Sequence, residues 1–189
     1  KSLPKLLHEL GQIPGIFWIR ILYCYPEEIT DELIEAIKTE PKVCHYLDIP
    51  VQHASDNVLK RMGRRTNQAQ LREMVEKLRT EIPDICLRTT LITGFPGETE
   101  DDHEELLQFV DELEFDRLGV FTYSREEGTA AARLKGQIPA RIKKQRQRII
   151  MENQQKISLE KNKEKIGKEF EVLIEGVLAS GTYFGRTYQ

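Results

Sequence analysis

The chain has 189 residues, 39% hydrophobic and 31% charged, with a formal net charge of −3. That length allows one domain with a real core and a second small one, and no apolar run approaches the roughly 20 residues needed to cross a bilayer. No charged start with an apolar core and small-residue cleavage site marks secretion, so a cytoplasmic protein is expected, and the acidic balance argues against nucleic acid as a partner for the surface as a whole while leaving a local basic stripe that could bind it.

Leu3, Leu6, Leu7 and Leu10 have the spacing of an amphipathic helix, with Ser2 as N-cap and Gly11 as stop. After the Pro14-Gly15 turn, the run from Ile16 to Leu22 predicts a buried strand. Pro26 and the Thr30-Asp31-Glu32 start introduce a helix with Leu33, Ile34 and Ile37 on one face. Val43 to Val51 predicts the next strand, leaving the sheet at Pro50, which cannot donate to a central ladder. Ser55 caps a helix holding Val58, Leu59 and Met62. A Thr66 start then leads into Leu71, Met74, Val75, Leu78 and Ile82.

The run Ile85 to Ile92 is short and rich in β-branched residues, a buried strand, and it stops in Thr93-Gly94-Phe95-Pro96-Gly97-Glu98-Thr99. A helix with Leu106, Leu107, Val110 and Leu113 follows, then a strand from Arg117 to Tyr123. Predicted strands thus begin near residues 16, 43, 85 and 117 and alternate with helices. That alternation means βαβ crossovers and an α/β fold with a parallel sheet covered by helices. From Pro139 to Lys168 ten basic residues oppose only Glu152, Glu160 and Glu164, predicting one long exposed helix that packs through a narrow apolar stripe and ends at Gly167. Phe170 to Val177 and Tyr183 to Tyr188 predict a hairpin, the start of a small β domain. The chain opens on a helix with no strand before it and closes on this hairpin, so a fragment cut at both ends is expected.

Candidate chemistry gathers at the strand exits, where open α/β sheets bind ligands. The loop after Thr93 could cradle a phosphate on free N–H groups, but Glu98, Glu100, Asp101, Asp102, Glu104 and Glu105 crowd the same helix start and would repel one. It suits a cationic ligand, one offering hydroxyl or amino donors, or an apolar ring. Gln52-His53-Ala54-Ser55 places polar side chains at another strand exit. Arg20 and Arg88 each sit inside an apolar strand, where a charge needs a partner or a cleft, and Asp48 offers a partner. Cys24, Cys44 and Cys86 lie 20 and 42 residues apart, matching no zinc, redox or cluster spacing, and read as buried small hydrophobes.

Three stretches carry a resemblance to a known family: Tyr46-Leu47-Asp48-Ile49-Pro50-Val51-Gln52-His53-Ala54-Ser55, Thr93 to Thr99, and Gly119 through Tyr123 to Thr129. They resemble the methylthiotransferase branch of the radical S-adenosylmethionine enzymes, and the Asp-Ile-Pro-Val-Gln-His-Ala-Ser form is similar to the branch that modifies an aspartate of a small-subunit ribosomal protein. The resemblance implies S-adenosylmethionine as cofactor, a partial TIM-type (βα)6 barrel whose last four units are residues 1–138, a connecting helix at 139–167, and the opening of a TRAM-type β domain at 168–189. It implies cofactor contacts at Gln52, Ser55, Thr93, Gly94, Phe95, Phe121 and Tyr123, with no catalytic acid or base assigned. It implies 4Fe-4S clusters in the full-length protein, although no CxxxCxxC loop occurs in this chain, which is therefore expected to be inactive alone and to hold no metal. The ribosomal protein is the expected substrate rather than tRNA. A tRNA methylthiotransferase of the same family and a non-enzymatic βα binding module are the alternatives.

Overall fold

The β-branched runs assemble side by side because each is followed by a helix long enough to bring the chain back in the same direction. In the computed structural model, which describes residues 2–189, β1 (Ile19–Ile21), β2 (Val43–Asp48), β3 (Cys86–Thr93) and β4 (Arg117–Thr122) form one parallel sheet in that order. Before and between them run α1 (Leu3–Gly11), α2 (Asp31–Thr39), α3 (Asp56–Arg61), α4 (Gln68–Glu81) and α5 (Glu100–Leu113). After β4 come α6 (Ala140–Lys163) and an antiparallel hairpin of β5 (Leu173–Val177) and β6 (Tyr183–Arg186).

Alternation sorts the strand residues onto two unlike faces. Ile19, Ile21, Leu47, Leu87, Leu91, Leu118 and Val120 turn toward the helices and share a core with Leu33, Ile37, Leu71, Leu78, Leu106, Phe109 and Ile150. The other face carries Arg20, Tyr46, Asp48, Arg88 and Phe121. Arg88 is ion-paired with the buried Asp48, and the Arg20 guanidinium lies 3.6 Å above the Tyr46 ring. Toward the start of the strands this face is closed by Cys44, Tyr46 and Cys86, against which Trp18 and Tyr188 pack. A parallel sheet with helices over one face and polar groups on the other is the wall of a barrel, not the centre of a doubly wound sandwich.

Three sequence expectations shift. The first strand keeps only Ile19–Ile21 of the run from Ile16 to Leu22, because it has one ladder partner, its register slips between those two residues, and Tyr23 turns to a φ of +58° just beyond. Helix α4 starts at Asn67 and not at Thr66: the Asn67 side chain accepts from the Gln70 N–H while the Gln70 side chain accepts from the Asn67 N–H, a reciprocal cap that Thr66 has no partner to make. The narrow stripe through which helix α6 packs is not wholly apolar. Arg146, Ile150, Gln154 and Ile157 form a buried stripe, and the Gln154 amide donates to the Phe115 carbonyl at 2.8 Å.

Candidate functional site

The loop between β3 and α5 is folded by one side chain. Gly94 and Gly97 take φ of +75° and +85°, where a Cβ would strike the Lys143 stem or the Arg61 guanidinium. Glu98 then folds back so that one carboxylate oxygen accepts the N–H groups of Gly94 and Phe95, while the other accepts from Arg146 Nη1 at 2.9 Å. The Gly97 N–H donates to the Gly136 carbonyl at 2.8 Å. These amides are already spent, which is the structural reason the loop is not a phosphate cradle. Burial pushes the Glu98 carboxyl upward, opposed by Arg146 and the two amides.

The acidic cluster divides in two. Glu98 and Asp102 are buried, whereas Glu100, Asp101, Glu104 and Glu105 remain exposed. Thr99 and Asp102 form the capping box of α5, and Asp102 also accepts from Ser55 Oγ and from Asn57 Nδ2 at 2.9 Å. Burial raises the Asp102 pKa, but these donors outweigh it and hold the carboxyl below its usual range. Ser55 therefore caps nothing through its side chain; it ties α3 to the start of α5.

The exit of β2 is irregular. Gln52 pairs with Leu91 one residue out of step with the Asp48–Arg88 register, at a φ of +71°, and its Oε1 is buried without a protein partner. The Thr89 hydroxyl bridges the bulge, donating to the Ile49 carbonyl at 2.8 Å. His53 is fully buried; its Nδ1 accepts the Ser55 N–H at 3.0 Å, which puts the ring proton on Nε2, 3.9 Å from Glu98 Oε2.

The predicted contacts fall into two groups. Phe121 stands exposed on the open face, beside Ile92 in the ladder. At the strand ends the Phe95 ring meets Tyr123 edge-on at 5.2 Å, and the Lys143 ammonium lies 4.8 Å from the Tyr123 ring centroid while donating to the Tyr123 carbonyl at 2.7 Å. Gln52 stands at the neighbouring exit of β2, bridged to Leu91. Ser55 and Thr93 turn the other way, Thr93 donating to the Lys143 carbonyl at 3.3 Å, and Gly94 is covered by the Lys143 stem. Sequence reasoning missed Lys143 and Arg146, two bases among ten. Only the 146, 150, 154, 157 spacing singles out Arg146.

The open face fits a ligand that carries hydroxyl and amino donors, with the Arg20 and Arg88 guanidiniums on the same face. It presents unpartnered buried acceptors at Gln52 Oε1 and Asp48 Oδ1, and the exposed ring of Phe121 lies two strands away on β4. The cysteines do not fit an iron–sulfur cluster. All three are buried thiols; burial pushes Cys24 and Cys86 up to about 11 and raises Cys44 as well. No group of three or more His, Cys, Asp or Glu is placed to hold a metal ion among the described residues, and no helix among them is long and apolar enough to cross a membrane.

A parallel barrel wall with its irregular backbone and unpartnered polar atoms gathered at the strand ends defines an α/β protein of the barrel class, with a candidate ligand site at those ends. The family model described as "Radical SAM superfamily" matches residues 2–110, and the chain belongs to that superfamily. It is 60% identical over all its residues to a protein of Lachnoclostridium phytofermentans named "Ribosomal protein uS12 methylthiotransferase RimO", and 55% identical over 187 residues to one of the same name from Alkaliphilus oremlandii. The chain spans 43% of the length of each. Among solved structures it resembles coproporphyrinogen III oxidase (HemN) from Escherichia coli, described as a radical SAM enzyme, with a TM-score of 0.65 and 25% identity over 82% of this chain and 36% of that one.

Proposed function

We propose that this chain forms the cofactor and substrate cleft of a radical S-adenosylmethionine methylthiotransferase that modifies an aspartate of ribosomal protein uS12. The observation that carries the proposal is the 60% identity, maintained from the first residue to the last, with a relative bearing that name. Bound together with a 4Fe-4S cluster, S-adenosylmethionine supplies hydrogen abstraction from an unactivated carbon. Of the seven candidate contacts, Gln52, Phe95, Phe121 and Tyr123 touch the cofactor in this reading, and Ser55, Thr93 and Gly94 set the backbone that presents them. The cluster ligands come from outside these 189 residues. Residues 1–138 serve as the last four units of the barrel, 139–167 as the connecting helix, and 168–189 as the opening of a TRAM-type domain, all in the cytoplasm, where ribosomes are its targets.

The test uses the full-length protein with reductant and S-adenosylmethionine, offered ribosomal protein uS12 and tRNA in parallel. Mass spectrometry is expected to find a methylthio mass gain on the protein and none on tRNA. Methylthio-adenosine in tRNA with unmodified uS12 overturns the reading in favour of the tRNA-modifying branch, and turnover of neither removes it.

A further inference from the structure

We propose that Arg146 is a positioning residue that locks helix α6 onto the cofactor loop and thereby sets the affinity for S-adenosylmethionine. The proposal rests on the cofactor reading above and extends it to a helix outside the 2–110 segment that the family model matches. Arg146 is 6% exposed, and its Nη1 donates to Glu98 Oε1 at 2.9 Å and to the Glu98 carbonyl at 3.2 Å. Its Nη2 donates to Glu100 Oε2 at 2.9 Å. The second Glu98 oxygen holds the N–H groups of Gly94 and Phe95, so the guanidinium stands one side chain away from the backbone that aims Phe95 at Tyr123.

A buried ion pair is a poor source of net stability, because desolvation of both charges offsets their attraction. Its distinctive effect here is geometric: a fork of donors accepts one carboxylate orientation, and that orientation fixes two amides of a loop with two left-handed glycines. Lys143, nearly one turn earlier on α6, adds contacts to Gly94, Thr93 and Tyr123, so the first turns of α6 close over the whole loop.

Two variants of the full-length protein separate positioning from stability. Arg146→Lys keeps the charge and loses the fork. The double variant R146M/E98Q leaves no unpaired buried charge and keeps an amide oxygen for Gly94 and Phe95, but removes the tie to α6. Both are expected to hold the unfolding midpoint and the hydrogen-exchange protection of the Leu87 and Leu91 amides, to exchange the Gly94 and Phe95 amides roughly tenfold faster, and to bind S-adenosylmethionine roughly tenfold more weakly by calorimetry. Wild-type loop protection and affinity in both variants overturns the proposal. So does loss of loop and β3 protection in equal measure, which is what a merely structural role gives. Absence of S-adenosylmethionine binding in the wild-type protein removes the cofactor reading and with it the affinity arm, and is told apart from failure of the lock by the exchange data.

Discussion

His53 is a basic side chain with no exposed surface and no charged partner within hydrogen-bond distance. Burial pushes its pKa from the ordinary 6.5 down to about 3, with Asp102 opposing and His103 and Arg146 adding to the fall. The unfolded chain takes up a proton below pH 6.5 that the folded chain refuses until about pH 3. The stabilisation is therefore complete above pH 6.5 and is lost as the pH falls toward the folded value, by about 2 kcal/mol between pH 7 and pH 5. His53→Asn keeps an acceptor for the Ser55 N–H and cannot titrate. Its urea midpoint is expected to fall less than that of the wild type over this range, and parallel profiles for the two proteins would contradict the assignment. Single residues are the least legible in the sequence. The sequence places His53 at a strand exit, but whether such a ring faces solvent or core depends on the bulge at Gln52, which no local pattern announces.

Helix starts were more readable, because a cap is a matter of residue types at fixed spacing. Thr30 stands where the sequence puts it, and Thr99 closes the loop as the cap of α5, each accepting an N–H three residues on. Asn67 displaced Thr66 because only Asn67 has Gln70 three residues ahead. What spacing does not reveal is how much else a capping residue holds. Asp102 closes the α5 box and also binds Ser55 and Asn57 across 47 and 45 residues of chain. Asn67→Ala is expected to cost about 1 kcal/mol, the usual value of a cap. Asp102→Ala should cost about 2 to 4 kcal/mol, the value of a cap together with the penalty for leaving the buried Ser55 hydroxyl without its acceptor. Denaturant titration of the two variants measures the difference, and equal losses would show that the tie between α3 and α5 adds nothing. The same limit applies to α6: its composition predicts an exposed helix packed through a narrow apolar stripe, and the buried Arg146 is a charged member of that stripe that tertiary pairing creates.

For the molecule as a whole, short β-branched runs alternating with helical spacing are enough to give a parallel sheet covered by helices, whereas the strand order and the confinement of the apolar core to one face are set by the tertiary packing. The opposite face was only half readable, as Arg20, Asp48 and Arg88 in apolar strands, since the pairing of Arg88 with Asp48 needs the register that brings β2 beside β3. That register also decides the fate of the thiols. It sets Cys44 and Cys86 with Tyr46 in a dry cluster closed by Trp18 and Tyr188, while Cys24 lies in the core on the helix side. With the thiolate the reactive form and burial pushing Cys24 and Cys86 up to about 11, neither alkylation nor cluster assembly has a ready ligand in the folded chain. Treated with a thiol-reactive chromophore at pH 7.5, the native chain is expected to label far more slowly than the same chain in urea, where all three cysteines react. Incubation with iron and sulfide under reducing conditions should give no stoichiometric iron–sulfur absorbance. Prompt native labelling, or a cluster band surviving desalting, would mean that the strands open to release thiols which the sheet register otherwise holds inside.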